Sequence, residues 1–102
     1  MKYQLVLQFR AQHVDDFDDL VVLENRLIEN LAPDSMVDSH DFGSGEFNIF
    51  ILTDEPREAF GVVEDIIRRY HPQRSLKAAY RESCADEFIV VWPPNLRAFE
   101  VR

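Results

Sequence analysis

A chain of 102 residues with 46% hydrophobic side chains has the length for one domain and the apolar content for a packed core, which excludes two domains and a disordered chain. Its single cysteine, Cys84, excludes an internal disulfide framework, and a formal net charge of −8 repels phosphate backbones, so nucleic acid is not an expected partner. No apolar run approaches the roughly 20 residues of a membrane span, and the alternating N-terminus lacks the continuous apolar block of a signal peptide, so the expectation is a cytoplasmic protein with no membrane partner.

Residues 2–10 alternate. Tyr3, Leu5, Leu7 and Phe9 point one way and Lys2, Gln4, Gln8 and Arg10 the other, with Val6 the exception, which predicts a half-buried strand. Residues 15–31 have helical periodicity, with Phe17, Leu20, Leu23, Leu27, Ile28 and Leu31 as the apolar stripe. Asp15 or Asp16 is placed to cap this helix, Asp18 and Asp19 suit the positive end of its dipole, and Pro33-Asp34 stops it.

Residues 36–42 and 46–53 predict two strands joined by Gly43-Ser44-Gly45, a three-residue loop with a bulge. That loop pairs Phe42 with Glu46, His40 with Asn48, Asp38 with Phe50 and Met36 with Leu52. One face then holds Asp38, His40, Glu46, Asn48 and Phe50. The other holds Val37, Phe47, Ile49 and Ile51, with Ser39 and Asp41, and is expected to face the helices. A one-residue slip reverses the assignment for one strand.

Residues 55–70 predict a second helix, capped by Asp54, with Pro56 in its first turn. Ala59, Phe60, Val63, Ile66, Ile67 and Tyr70 form its buried stripe, and Arg68, Arg69 and His71 lie at its negative end before Pro72. Residues 75–82 and 87–92 predict a hairpin across Ser83-Cys84-Ala85-Asp86, with Leu76, Ala78 and Tyr80 on one side and Lys77, Ala79 and Arg81 on the other. Pro93-Pro94 ends the sheet. Residues 95–102 read as a C-terminal tail in which Leu96, Phe99 and Val101 can pack.

The order β-α-β-β-α-β-β predicts an α+β, ferredoxin-like domain over residues 1–94. The expected sheet is antiparallel, 4-1-3-2, with the fifth strand beside the fourth. Two helices cover one face, and the other is bare and polar, carrying Gln4, Gln8, Asp38, His40, Glu46, Asn48, Phe50, Lys77 and Arg81.

The densest polar segment, Asp38 to Asn48, supplies the catalytic candidates His40, Asp38, Glu46 and Asn48. A histidine held between a carboxylate and an amide is suited to general base chemistry near neutral pH. Ser39-His40-Asp41 is no triad, because strand neighbours face opposite ways. Asp41, if it faces inward, can accept the N–H groups of Ser44 and Gly45. A metal at Asp38, His40 and Glu46 lacks the usual histidine and cysteine partners, so no metal is expected. Gly43-x-Gly45 opens no helix and makes no phosphate cradle, and no cofactor is implied. Cys84, between Glu82 and Asp86, is a poor thiolate. His13 and His71 read as surface histidines.

Among families that share the strand order, RNA-recognition domains stack bases on aromatics, and here the bare face offers Phe50 alone. The loop Ala11-Gln12-His13-Val14 does not match the glycine-rich anion loop of acylphosphatases. The stretch Asp38-x-His40-Asp41-x-Gly43-x-Gly45-Glu46-x-Asn48-Ile49-Phe50, with the closing Val91-Trp92-Pro93-Pro94, resembles a pattern of small uncharacterised bacterial proteins. The resemblance covers most of the chain and implies no activity.

The leading expectation is a small acidic, non-catalytic protein-interaction module, immunity-like or regulatory, with a basic protein partner. The rival is a small enzyme or ligand-binding protein of the dimeric α/β-barrel kind that uses the polar cluster on its bare face. A homodimer through that face or an edge strand is compatible with both.

Overall fold

The computed structural model describes residues 1–31 and 33–101. The elements in chain order are β1 (Tyr3–Arg10), α1 (Val14–Asn30), β2 (Ser35–Gly43), β3 (Glu46–Thr53), α2 (Pro56–Tyr70), β4 (Leu76–Glu82) and β5 (Ile89–Trp92). The strands form one antiparallel sheet in the order β2-β3-β1-β4-β5. This is the ferredoxin-like arrangement expected from the sequence, with the fifth strand beside the fourth.

Period-two alternation puts Leu5, Leu7 and Phe9 of β1 on one face, beside Phe47, Ile49 and Ile51 of β3 and Ala78 of β4. Leu20, Leu23 and Leu27 of α1 cover that layer, with Ala59, Phe60, Val63, Ile66 and Ile67 of α2. Each such large side chain contributes about 1.5–3 kcal/mol on burial, so this layer dominates the stability of the fold.

The helix ends and stripes differ in detail from expectation. His13 is the N-cap of α1. Asp16 serves from inside the first turn, its Oδ2 accepting the backbone N–H groups of Gln12 at 3.0 Å and His13 at 3.1 Å. The cap of α2 is Glu55 rather than Asp54, whose carboxylate instead accepts the Lys2 N–H at 2.9 Å. Ile28 is exposed while Glu24 is buried. At about 100° per residue, position 24 lies nearer the centre of the Leu20–Leu27 stripe than position 28. Tyr70 is exposed too, with the Arg26 guanidinium 4.0 Å above its ring.

The face expected to be bare is covered. Val6 and Ala79 pair across β1 and β4 on that side, and both are fully buried. The chain after β4 folds back over them. Arg81 donates to the Gln4 side-chain oxygen at 2.9 Å and to the Ala85 carbonyl at 2.6 Å, and its guanidinium lies 5.7 Å from the Phe88 ring. Phe88 meets Phe99 with ring centroids 5.2 Å apart, and the Gln8 amide donates to the Glu100 carbonyl at 2.8 Å. The stretch 95–101 is therefore a strap across the sheet, with Leu96 and Phe99 half-buried and Val101 exposed. Arg102, also read into this tail, lies outside the described residues. Val6 breaks the polar alternation of β1 because its face too has a cover.

Candidate functional site

The register of the β2–β3 hairpin decides which of the polar candidates meet. Ser44 and Gly45 both have positive φ, 55° and 75°, and Gly43 pairs with Glu46. This is a two-residue turn of the I′ kind, not the three-residue loop expected from Gly43-Ser44-Gly45. Phe42 therefore pairs with Phe47, Asp41 with Asn48 and His40 with Ile49, one residue out of the expected register. A bulge between Val37 and Ser39 absorbs the extra residue at Asp38, and Met36 again pairs with Leu52 as expected.

Packing explains why this register wins. It turns Phe42 and His40 toward the helices. Phe17 of α1 meets the Phe42 and Phe47 rings edge-on at 5.8 and 5.4 Å, and the His40 ring stacks on Phe47 at 4.9 Å with 17° between the planes. His40 Nδ1 donates to both oxygens of the buried Glu24 carboxylate, at 2.9 and 2.8 Å. These aromatic and charge-assisted contacts offset the cost of a left-handed Ser44.

The expected cluster is consequently divided. His40 lies on the helix side, with Glu24 as its carboxylate. Asn48 lies on the opposite side, fully buried, its amide donating to Asp41 Oδ1 at 3.0 Å and its oxygen accepting from Gln8 at 3.1 Å. Asp41 faces Asn48 and not the turn, against the expectation that it points inward. Asp38 sits exposed at the bulge, where Ser39 Oγ approaches its carboxylate at 3.5 Å. Glu46 of β3 pairs with Arg10 of β1, at the edge of a shallow hollow of about 320 Å³ with Gln8, Lys77 and Pro93. Histidine and asparagine thus stand on opposite faces of one sheet and cannot share a substrate. Among the described residues, no three His, Cys, Asp or Glu side chains gather as a metal site.

A second polar group joins the start of α1 to the end of α2, around a hollow of about 500 Å³ lined by Asp16, Asp19, Tyr70, His71 and Arg74. Arg74 donates to Asp16 Oδ1 at 2.7 Å and to Asp19 Oδ2 at 2.8 Å, and His71 Nδ1 reaches both Asp19 oxygens at 3.1 Å. His71 is buried, contrary to its reading as a surface histidine. Its Nε2 faces the interior without a polar partner, so the ring proton belongs on Nδ1, facing Asp19. The Arg74 guanidinium, aided by the Gln12 and His13 N–H groups, holds the Asp16 carboxyl down at about 2. Burial works against the charge on Asp19, but hydrogen bonds from Arg74 and His71 outweigh it and keep the carboxyl below its ordinary value. For Arg74, burial opposes the charge and the two carboxylates more than restore it, so the guanidinium is held above its ordinary value. Every charge here has an internal partner of opposite sign, and the group acts as a clasp between helices.

Sequence reasoning missed Glu24, Asp19, His71 and Arg74 as members of polar networks. For Glu24 the signal was a carboxylate set inside an apolar stripe. For the clasp the sequence carries no signal, because its members meet through the sheet topology, 52 to 58 residues apart. No family model, curated protein or solved structure matches the chain.

Proposed function

We propose that the domain is a non-catalytic interaction module whose partner is a basic protein. One observation carries this reading, the uneven distribution of charge. From Leu27 to Pro56 the chain has no lysine or arginine, yet it holds Glu29, Asp34, Asp38, Asp41, Glu46, Asp54 and Glu55. The stretch runs from the end of α1 through the hairpin β2–β3 to the start of α2, and its edge strand β2, which carries Asp38 and Asp41 and no lysine or arginine, presents a negative field. Such a field speeds encounter with an oppositely charged partner and suppresses like-charged ones. Further support comes from the polar residues best suited to chemistry, which are engaged in bonds between elements. No helix among the described residues is long and apolar enough to cross a membrane, and we place the protein in the cytoplasm.

The test is capture from cell extract on immobilised protein at about 50 mM and about 500 mM salt, a range across which exposed charges become screened. The same experiment is run with Asp34, Asp38 and Asp41 changed to asparagine. Partners retained at low salt, released at high salt and lost with the neutralised protein support the reading. Capture that ignores both salt and neutralisation refutes it.

A ligand-binding or enzymatic reading has one geometric observation behind it. Glu24 grips Nδ1 of His40 and leaves Nε2 without a partner among the described residues, on a side chain that is 35% exposed. A thermal-shift screen of small ligands on wild type and His40→Ala tests it. A ligand that stabilises wild type alone supports this second reading, and equal shifts in both proteins count against it.

A further inference from the structure

We infer that β2 is a docking edge, to which an extended basic segment of a partner protein adds as a sixth strand. The inference rests on the interaction-module reading above and names its surface and the form of its ligand.

β2 is nine residues long and lies at one edge of the sheet, next to β3 alone. An edge strand leaves a row of backbone N–H and C=O groups without ladder partners. The turn identifies which ones. A two-residue hairpin turn is closed by a hydrogen-bonded pair, here Gly43 and Glu46. Antiparallel pairs alternate, so Asp41–Asn48 is the next hydrogen-bonded pair, and the backbone groups of Phe42 and His40 between them point away from β3. Asp38 to Phe42 are all exposed, and no described segment of the chain pairs along them. The bulge that interrupts the strand lies between Val37 and Ser39, so the run from Ser39 to Gly43 keeps its regular pleat.

Charge selects the occupant. A second copy of this chain, paired edge to edge, would bring Asp38 and Asp41 against their own equivalents, and like charges across a strand pair destabilise it. A lysine- or arginine-bearing strand meets the same carboxylates as opposite charges. On the opposite face of the strand, the exposed Phe42 ring gives the alternate, apolar residues of such a segment a surface to pack on. Main-chain bonds then supply affinity and the aspartates choose among partners, as in strand addition generally.

The probe is an end-capped peptide of alternating lysine and valine, matched in length to β2. Its counterpart has glutamate for lysine, and a third version is N-methylated at alternate residues so that one edge cannot pair. Binding is followed by fluorescence anisotropy, and amide hydrogen exchange is read residue by residue by NMR on the full chain. The lysine peptide is expected to bind and to weaken as salt is raised. On binding, exchange at His40 and Phe42 slows at least tenfold, while Asp41, already in the ladder, changes little. The N-methylated and glutamate peptides lose binding, and Asp38→Asn with Asp41→Asn weakens the lysine peptide about fivefold, as for two exposed ion pairs. Salt-dependent binding that leaves His40 and Phe42 unprotected overturns the edge while keeping the basic-partner reading. The edge also falls if the lysine peptide fails to bind or the glutamate peptide binds as well. Protection of these two amides that grows with protein concentration alone assigns the edge to a second copy and overturns the inference. Salt-insensitive capture in the extract experiment, by contrast, removes the interaction reading itself.

Discussion

The pair formed by Glu24 and His40 offers a sharp test of what holds β2 against α1. Glu24 is 8% exposed and its two oxygens share one donor, Nδ1 of His40. Replacing His40 by phenylalanine keeps a ring to stack on Phe47 and removes the donor. A hydrogen bond to a charged group is worth about 1.5–3 kcal/mol, and the stranded carboxylate adds a desolvation penalty that nearby water partly relieves. His40→Phe is therefore expected to cost about 2 kcal/mol. Glu24→Leu alone costs less than about 1 kcal/mol, since His40 is more exposed and can turn its nitrogen to water. The double variant, with two apolar groups in place of the pair, returns to within about 1 kcal/mol of wild type. In urea, with a slope of about 1.3 kcal/mol/M for a chain this size, the midpoint falls by about 1.5 M in His40→Phe and recovers in the double variant. A double variant no more stable than His40→Phe would refute the claim that a stranded carboxylate sets the cost.

Three further outcomes follow from the same contacts. At the turn, Ser44→Asn eases a positive φ and is expected to raise the melting temperature by a few degrees, whereas Gly45→Ala costs about 1 kcal/mol; thermal unfolding followed by circular dichroism checks both, and equal effects would count against a type I′ turn. Arg74→Met tests the clasp through pH. Carboxylates whose folded values are lowered stabilise the native state above their unfolded value, 3.8, and that contribution disappears as pH falls toward about 2. The gap between wild type and Arg74→Met is thus full near pH 7 and closes between pH 3.8 and about 2, while parallel curves would remove the clasp from the account. Phe99→Ala should loosen the strap at its contact with Phe88, at about 1–2 kcal/mol for a half-buried ring; the readouts are urea unfolding and faster tryptic cleavage after Arg97, and unchanged cleavage would place the ordering of the strap elsewhere.

The elements and the sheet order were legible because each depends on a local period: two in β1 and β4, 3.6 in the helices, with Pro56 and Pro72 as punctuation. The hairpin register was not. Gly43-Ser44-Gly45 satisfies a two-residue and a three-residue loop equally well, since either glycine can take a positive φ. The decision rests on Phe17 and Glu24, which lie in α1 and reach Phe42 and His40 in space alone. Phe42 and His40 are gained for the helix side only if the turn shortens, and Asp38 then has to leave the ladder as a bulge. The strap was hidden for a similar reason. Leu96 and Phe99 announce that they can pack, and Val6 announces that its face is not fully wet, but nothing local joins the two.

The register also changes what the polar residues are for. In the expected pairing, His40 and Asn48 shared a face with Asp38 and Glu46, and a small catalytic cluster was a natural reading. One residue of slip sends His40 to Glu24 and leaves Asn48 between Gln8 and Asp41. Each becomes a bond between elements, β2 to α1 and β3 to its two neighbours. Among the described residues, the groups that β2 leaves pointing outward are then the N–H and C=O of His40 and Phe42, together with the exposed carboxylate of Asp38, which the Ser39 hydroxyl approaches from within the chain. They lie along one strand edge, and the same shortened turn that dispersed the candidate site fixed which backbone groups that edge presents. A ligand that reads main chain and charge together, rather than a substrate awaiting a base, is what such an edge can recognise.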